Sequence, residues 1–240
     1  MLSNTKIIKL EEIHSTNELC KSFLKENTET LPFLIQAEYQ TKGKGQMGKH
    51  WISNKSENLL CSLAFNPDKI TIENQFFISQ SVALSIHKTL ANFQISAQIK
   101  WPNDIYIGRL KIAGILIENT ITNKHIDNCV IGLGFNINQN SFPPDLKATS
   151  IKKCINKEVS VNDIREMYLK NLDYFLKKTS TQIKENYEAL LYQRNITSIY
   201  KDERGSFKAR ILGVDQYGRL IIKKEDGSIQ SYINNSIIYL

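Results

Sequence analysis

Between residues 98 and 138 the chain alternates short apolar runs with turn signals, and this stretch limits the possible fold more than any other. The runs Ile99-Lys-Trp101, Ile105-Tyr-Ile107, 112–117 and 129–135 are too short for ordinary helices and rich in β-branched and aromatic residues. Gly108-Arg109 and Asn123-Lys124 separate them as turns. Successive strands of this kind require a sheet, and a sheet must bury its apolar face against another layer.

The rest of the chain supplies that layer. Ser15-Thr-Asn-Glu18 has the form of a capping box, and Leu19, Phe23 and Leu24 follow at helical spacing, which predicts a first helix over 16–25. Residues 33–39 and 58–65 read as strands, and residues 71–91, 162–178 and 182–192 as helices. After Tyr192 short strands dominate, over 196–200, 207–214, 219–223 and 228–233, with turns at Glu203-Arg-Gly205, Tyr217-Gly218 and Asp226-Gly227. The expectation is an α+β protein: a mixed β-sheet with helices packed on one face in residues 1–192, then a small barrel-like β domain in residues 193–240.

Composition narrows the function classes. With 240 residues, 41% hydrophobic and 23% charged, the chain can build a sizeable core without a disulfide or metal staple. Cys20, Cys61, Cys129 and Cys154 lie far apart with no CxxC pair, so buried free thiols in a reducing, cytoplasmic setting are expected. The first ten residues lack the apolar segment of a signal peptide, and no run approaches the roughly 20 apolar residues that cross a bilayer. The net charge of +7 suggests an acidic partner, but the lysines are scattered rather than gathered into an arm.

Two constellations carry chemistry. Gly43, Gly45 and Gly48 spell GxGxxG, and Gly43, Gly48 and Lys49 spell the opening of a phosphate-binding P-loop. His50 stands where a P-loop needs Ser or Thr, and no helix pattern opens at the loop, so neither phosphate motif is expected. A flexible surface hairpin stays open as a reading. So does a mobile lid whose glycines let the backbone approach a ligand, with Lys42, Lys44 and Lys49 facing phosphate and Trp51 offering a flat ring.

In the second constellation, Lys100-Trp-Pro-Asn-Asp104 ends a strand at a proline and holds Asn103 and Asp104 where polar groups can face a cleft, although a plain turn has the same composition. Lys111 opens an apolar strand beside Ala113 and Gly114. Gly132 and Gly134 alternate, so they share one face of a strand and leave a slot, with Asn136 at its end. These features suit attack of a carboxylate on an α-phosphate, where a cation must sit between two anions: Lys111 is the candidate, and Asp104 could orient it or help to hold a Mg²⁺ that clamps the phosphates.

Taken in order, Ser15-Thr16-Asn17, the segment from Gln40 through Trp51, Lys100-Trp-Pro-Asn-Asp104, Lys111-Ile-Ala-Gly-Ile-Leu-Ile-Glu118 and Gly132-Leu-Gly-Phe-Asn136 resemble the biotin–protein ligase family, from about Ile13 to the C-terminus. The resemblance implies a class II synthetase-like catalytic domain followed by a small SH3-like β-barrel. It implies two steps: biotin and MgATP give biotinyl-5′-adenylate and pyrophosphate, and a lysine of a biotin-carboxyl-carrier domain then takes the biotin. Carried across, Ser15, Thr16, Asn17, Gln40, Gly43, Lys44, Lys111, Gly114, Gly132 and Gly134 line the biotin site. Lys44, Gln46, Trp51, Asn103, Lys111 and Asn136 face the adenylate, and Lys111 and Asp104 serve the chemistry; no metal ligands are assigned.

Two departures matter. The pattern begins by Ser15, leaving no room for the DNA-binding domain of some members, so a monofunctional ligase without a DNA partner is expected, as monomer or homodimer. Gln46 stands where an arginine commonly holds the adenylate, and an amide cannot supply that charge. A lipoate or octanoate ligase or transferase is the neighbouring alternative, but it lacks its arginine- and glycine-rich string here and an evident catalytic cysteine. A different class, a nucleic-acid-binding module, would use Lys201, Arg204, Lys208, Arg210, Lys223 and Lys224 beside Tyr200, Phe207 and Tyr217.

Overall fold

The computed structural model describes residues 2, 4–68, 70–123 and 125–240, so Lys124 of the expected 123–124 turn lies outside the described residues. Strand β1 (Lys6–Ile13), helix α1 (Thr16–Glu26) and strand β2 (Phe33–Gln40) form a parallel crossover. Then come β3 (Leu59–Phe65), α2 (Phe76–Ala91), β4 (Gln98–Lys100), β5 (Asp104–Ile107), β6 (Leu110–Thr122) and β7 (His125–Phe135). Helices α3 (Ile151–Ile155), α4 (Val161–Phe175) and α5 (Ser180–Ala189) complete this part. The sheet has seven strands in the order β1-β2-β3-β7-β6-β5-β4, mixed because β1 and β2 run parallel and all other neighbours antiparallel.

The strand period of two divides the sheet into faces. Leu34, Leu63, Phe65, Ile131 and Leu133 join Ile78, Val82 and Ile86 of α2 and Ile164, Tyr168 and Leu172 of α4 in the main core. The longer helices therefore lie on one face, as the sequence implies. The short α1 covers part of the other, where Cys20 packs with Phe33, Ile35, Ala64 and Val130. The cap of α1 differs from expectation. Ser15 has the extended backbone of an N-cap but its side chain makes no capping hydrogen bond; the Thr16 N–H is taken by Gln40 Oε1 at 2.8 Å instead. The long helix also begins later than its periodicity suggests, at Phe76, after a 3-10 turn over Ile72–Asn74.

The C-terminal strands β8 (Ser198–Asp202), β9 (Gly205–Val214), β10 (Leu220–Lys224), β11 (Ile229–Tyr232) and β12 (Ile238–Tyr239) form one antiparallel sheet, ordered β11-β10-β9-β8-β12. No pairing among the described residues joins β11 to β12, so the sheet is curved on a small core but is not a closed barrel; β12 has only two residues to offer. Its position is fixed by polar contacts to the β4–β5 turn and to helix α5. Trp101 Nε1 donates to Gly218 O at 2.8 Å, and the Val214 N–H donates to Glu188 Oε1 at 3.0 Å. Gly218 has φ +79 and the Phe76 ring pressed against it, so both the backbone and the space demand glycine there.

Candidate active site

The register places the site on the face that carries α1. Directly paired residues of neighbouring strands share a face, and Leu60, Gly134, Gly114, Asp104 and Lys100 form one row across β3, β7, β6, β5 and β4. One row away, Ser62, Gly132 and Leu116 line up in the same manner. Lys111 reaches this face because of an irregularity. Between Ile105 and Tyr106 the register shifts, so Ile105 opposes Ala113 while Tyr106 opposes Lys111. The extra residue lets Ile112 and Ala113 both enter the core and turns Lys111 onto the side of Gly114.

Glycine is required along this floor by what lies over it. A Cβ on Gly132 would stand 2.2 Å from Asn17 Oδ1, and one on Gly134 would stand 2.3 Å from Trp51 Cε2. At Gly114 it would meet Trp51 Cζ3 at 2.9 Å and Lys111 Nζ at 3.1 Å. The slot foreseen for a flat ligand therefore holds the Asn17 amide and the Trp51 indole. The space they leave, about 50 Å³, is room for a few waters; it is bounded by Ser15, Thr16, Gln40, Gly132 and Gly134 at one end and Lys111 and Asn103 at the other.

A polar network stands at the Ser15–Gln40 end, beside apolar lining from Cys61, Leu116 and Leu133. Thr16 Oγ1 donates to Gln40 Oε1 at 3.0 Å, and Ser62 Oγ lies 2.7 Å from Thr16 Oγ1 and directly against Asn17 Oδ1. Asn17 Nδ2 donates to Glu118 Oε2 at 2.9 Å, and Lys21 pairs with Glu118 at 2.6 Å. Burial pushes the Glu118 carboxyl up, but the hydrogen bonds from Lys21 and Asn17 and the charges of Lys21 and Lys44 outweigh it and hold it below the usual carboxylate range. Ser62 has no place in the sequence motifs. Its signal is a lone hydroxyl in a strand that is otherwise apolar and wholly buried.

Beyond Lys111 the slot opens into a cleft of about 610 Å³ between the two sheets. Slot and cleft share Gly45, Gln46, Trp51, Asn103 and Lys111. Lys111 Nζ pairs with Asp104 Oδ1 at 2.6 Å and lies 5.4 Å from the Trp51 ring centroid. Asn103 Nδ2 donates to Ile115 O at 2.8 Å, which fixes the β4–β5 turn against β6. Asn136 is buried in the cleft wall with Oδ1 unpaired, a group left to meet a ligand.

The glycine loop is folded over this junction. Trp51 N–H donates to Gly43 O at 3.0 Å, Gly45 N–H donates to Lys49 O at 2.7 Å, and Gln46–Gly48 makes a single 3-10 turn. No α-helix opens there, so neither phosphate motif is built. Gly43 does not line the slot; its role is the close approach to the Trp51 backbone, 2.7 Å from where a Cβ would be. Lys44 lines the slot but spends its charge on Glu18, whose carboxyl that hydrogen bond holds low. Gln46 Oε1 accepts from Asn234 Nδ2 at 2.7 Å, joining the loop to the C-terminal sheet.

Two alternatives lose their footing. Burial pushes the Cys20 and Cys61 thiols up to about 12 and Cys129 higher still, so none of these is an acyl-accepting thiolate. Cys154 is exposed, against the expectation that all four are buried, but it lines neither slot nor cleft. In the C-terminal sheet Tyr200 is fully buried and Phe207 packs against the core, while Lys208 and Lys224 face Glu225 and Asp202 at 3.7 Å. Of the three expected aromatics only Tyr217 is exposed, so the basic–aromatic platform of a nucleic-acid binder is reduced to one ring. Among the described residues, no three His, Cys, Asp or Glu side chains converge as a metal site, and no helix is long and apolar enough to cross a membrane.

Known proteins share this arrangement. Residues 10–136 match the biotin/lipoate A/B protein ligase family, and residues 194–239 match the biotin protein ligase C-terminal domain. A biotin protein ligase from Aquifex aeolicus, solved in complex with biotin and ATP, superposes with a TM-score of 0.82 and 26% identity, covering 98% of this chain and 99% of that one. The bifunctional ligase/repressor BirA of Bacillus spizizenii is 28% identical over 208 residues, 83% of this chain and 64% of the relative's length. The human biotin–protein ligase is 24% identical over 245 residues, 93% of this chain but 33% of its own. With more than half of its length matched over the slot, the glycine loop and the Lys111 strand, the chain belongs to the biotin/lipoate A/B protein ligase family.

Proposed function

We propose that this protein is a biotin–protein ligase, which joins biotin to ATP as biotinyl-5′-adenylate and then moves the biotin to a lysine of a biotin-carboxyl-carrier domain. Residues 1–192 would be its catalytic unit and residues 193–240 a supporting unit that walls the cleft. The observation that carries the reading is the Lys111–Asp104 pair at the junction of a small slot and a large cleft. Once the Trp51 indole moves off the glycine floor, an acid held in the slot points its carboxylate at Lys111, and a nucleotide in the cleft brings its α-phosphate to the same ammonium.

In the first step a carboxylate oxygen attacks the α-phosphorus, the bond to the β-phosphate oxygen breaks, and pyrophosphate leaves. Lys111 lies between the two anions and offsets charge on the pentavalent phosphorus. Asp104 holds the ammonium in place. Mg²⁺ enters as part of the nucleotide substrate, and a lone carboxylate such as Asp104 fits an ion held mostly by phosphate and water. In the second step the acceptor amine attacks the acyl carbon, AMP leaves with the C–O electrons, and the amine loses its proton.

The far end of the slot favours biotin over lipoate or octanoate. Thr16, Asn17, Gln40 and Ser62 offer hydroxyl and amide groups suited to a ureido ring, which a dithiolane or alkyl tail has no hydrogen bonds to match. The test is to incubate the protein with MgATP and either biotin or lipoate, add a carrier domain and weigh it, with Lys111→Ala alongside. A mass gain with biotin only, lost in the variant, is expected. A gain with lipoate instead would overturn the substrate, and no gain with either would overturn the reaction.

A further inference from the structure

The Trp51 indole covers the glycine floor, so a ligand can enter the slot only if the loop carrying it swings aside and returns. Residues 43–51 close on themselves: Trp51 N–H donates to Gly43 O, Gly45 N–H donates to Lys49 O, and Lys44 bridges His50. Two exposed side-chain contacts, Lys44–Glu18 and Gln46–Asn234, tie this hairpin to the body. Exposed polar contacts are worth little in water, so the anchoring of the two limbs decides where the indole comes to rest.

The limbs are anchored differently. The outgoing limb is held by backbone bonds, Thr41 N–H to Ile13 O and Lys42 N–H to His14 O, both 2.9 Å. On the return limb, between Trp51 and Ser56, the hydrogen bonds to the body among the described residues run through two side chains, Asn58 and Gln139. Gln139 Oε1 accepts from the Asn54 N–H at 3.2 Å and from Asn58 Nδ2 at 2.5 Å, and Asn58 Nδ2 also donates to Ser53 Oγ at 2.9 Å. The other ends of both amides are satisfied too. Ile137 N–H donates to Asn58 Oδ1 at 2.9 Å, and Gln139 Nε2 donates to Ser141 O at 2.8 Å. Both side chains are buried, and a buried pair so fully bonded cannot rearrange without orphaning a polar atom. The same stretch opens with Asn136, whose Oδ1 faces the cleft, so the anchor and the cleft wall share one short segment of chain.

We propose that Asn58 and Gln139 are positioning residues for adenylation: their paired amides anchor the return limb at Ser53–Asn54 and bring Trp51 back to a fixed place beside Lys111 after each opening. Neither amide lines the slot or the cleft. They act through Trp51, whose ring centroid lies 5.4 Å from Lys111 Nζ where slot and cleft meet. The consequence for adenylation rests on the ligase reading above; the anchoring of the loop does not.

The test uses the full-length protein and acrylamide quenching of tryptophan emission. Trp101, the other of the two tryptophans, is 5% exposed and bonded to Gly218 O, so a change in quenching reports Trp51, with Trp51→Phe to assign the signal. Gln139→Met fills similar space but leaves the Asn54 N–H and one Asn58 N–H without an acceptor. The share of molecules with the indole off the floor should rise about tenfold, read as at least about twofold stronger quenching, and single-turnover adenylation at saturating biotin and ATP should slow about tenfold. Gln139→Glu keeps the accepting oxygen and should restore most of the wild-type quenching and rate. Ser53→Ala, on the loop side of the anchor, removes one contact and should strengthen quenching by a smaller factor of about 1.5. Wild-type quenching in folded Gln139→Met, or in Ser53→Ala should the first variant not fold, would overturn the proposal. An equal rise in Gln139→Glu would overturn it as well, since that marks lost packing and not a lost acceptor. Quenching needs no ligand, so a wild type that fails to activate biotin would count against the ligase reading alone.

Discussion

Lys111 Nζ lies 2.6 Å from Asp104 Oδ1, across two strands whose register slips by one residue just beside the pair. The slip brings the lysine to the site face, and the carboxylate fixes it there. Lys111→Ala removes the cation between two anions and should slow adenylation by about a hundredfold or more. Asp104→Asn keeps the cation but loosens it, and about a tenfold loss is expected. Single-turnover formation of biotinyl-5′-adenylate, followed by quenching and chromatography, separates the two. Equal rates for wild type and Lys111→Ala would remove Lys111 from the chemistry.

The floor of the slot gives a second prediction. In Gly132→Ala the new methyl meets Asn17 Oδ1 at 2.2 Å, so the amide must leave Ser62 and Glu118. Overpacking of this kind typically costs about 1–3 kcal/mol, and here it falls on the ligand end of the slot. Biotin affinity should drop at least about tenfold while the KM for ATP stays within about twofold. Calorimetric titration with biotin, set beside ATP kinetics, reads both.

Much of this was legible in the sequence, for physical reasons that differ between residues. Glycines at 132 and 134 announce a crowded face because the strand period puts them together. Lys111 beside Gly114 was visible as a pair, but its orientation depends on the slip between Ile105 and Tyr106, which no local pattern encodes. Strand β1 escaped notice because an edge strand carrying Lys6, Lys9, Glu11 and Glu12 lacks the apolar run of a buried one. Ser62 and the Gln46–Asn234 contact were invisible because they are made by residues far apart in the chain. The closed barrel was overestimated, since short strands with turns predict curvature but not whether the last strand pairs with its neighbour.

The cysteines yield a prediction that also bears on the thioester alternative. Cys20 and Cys61 are buried with thiols pushed up to about 12, so at pH 9 only about one in a thousand would be thiolate. Reaction falls off further as pH drops, since the thiolate fraction shrinks below the pKa. Iodoacetamide at pH 8 should therefore modify Cys154 alone among the four and leave biotin transfer intact. Peptide mapping after alkylation tests this, and inactivation that tracks labelling of Cys20 or Cys61 would bring a cysteine mechanism back.

Gln46 concerns the fate of the intermediate. Its amide stands at the junction of slot and cleft and accepts a hydrogen bond from Asn234, so the loop is tethered to the C-terminal sheet through a neutral, exposed contact. Such a contact is worth about 1 kcal/mol at most, less than an arginine gives when it meets a phosphate oxygen. The adenylate should accordingly escape more readily than from a site with an arginine in this place. Gln46→Arg should lower the release of free biotinyl-5′-adenylate several-fold, while Asn234→Ala, which unties the loop, should raise it. Chromatography of filtrates from turnover without an acceptor measures both. Should the wild type release no free adenylate, the neutral tether is already tight enough and the hypothesis fails.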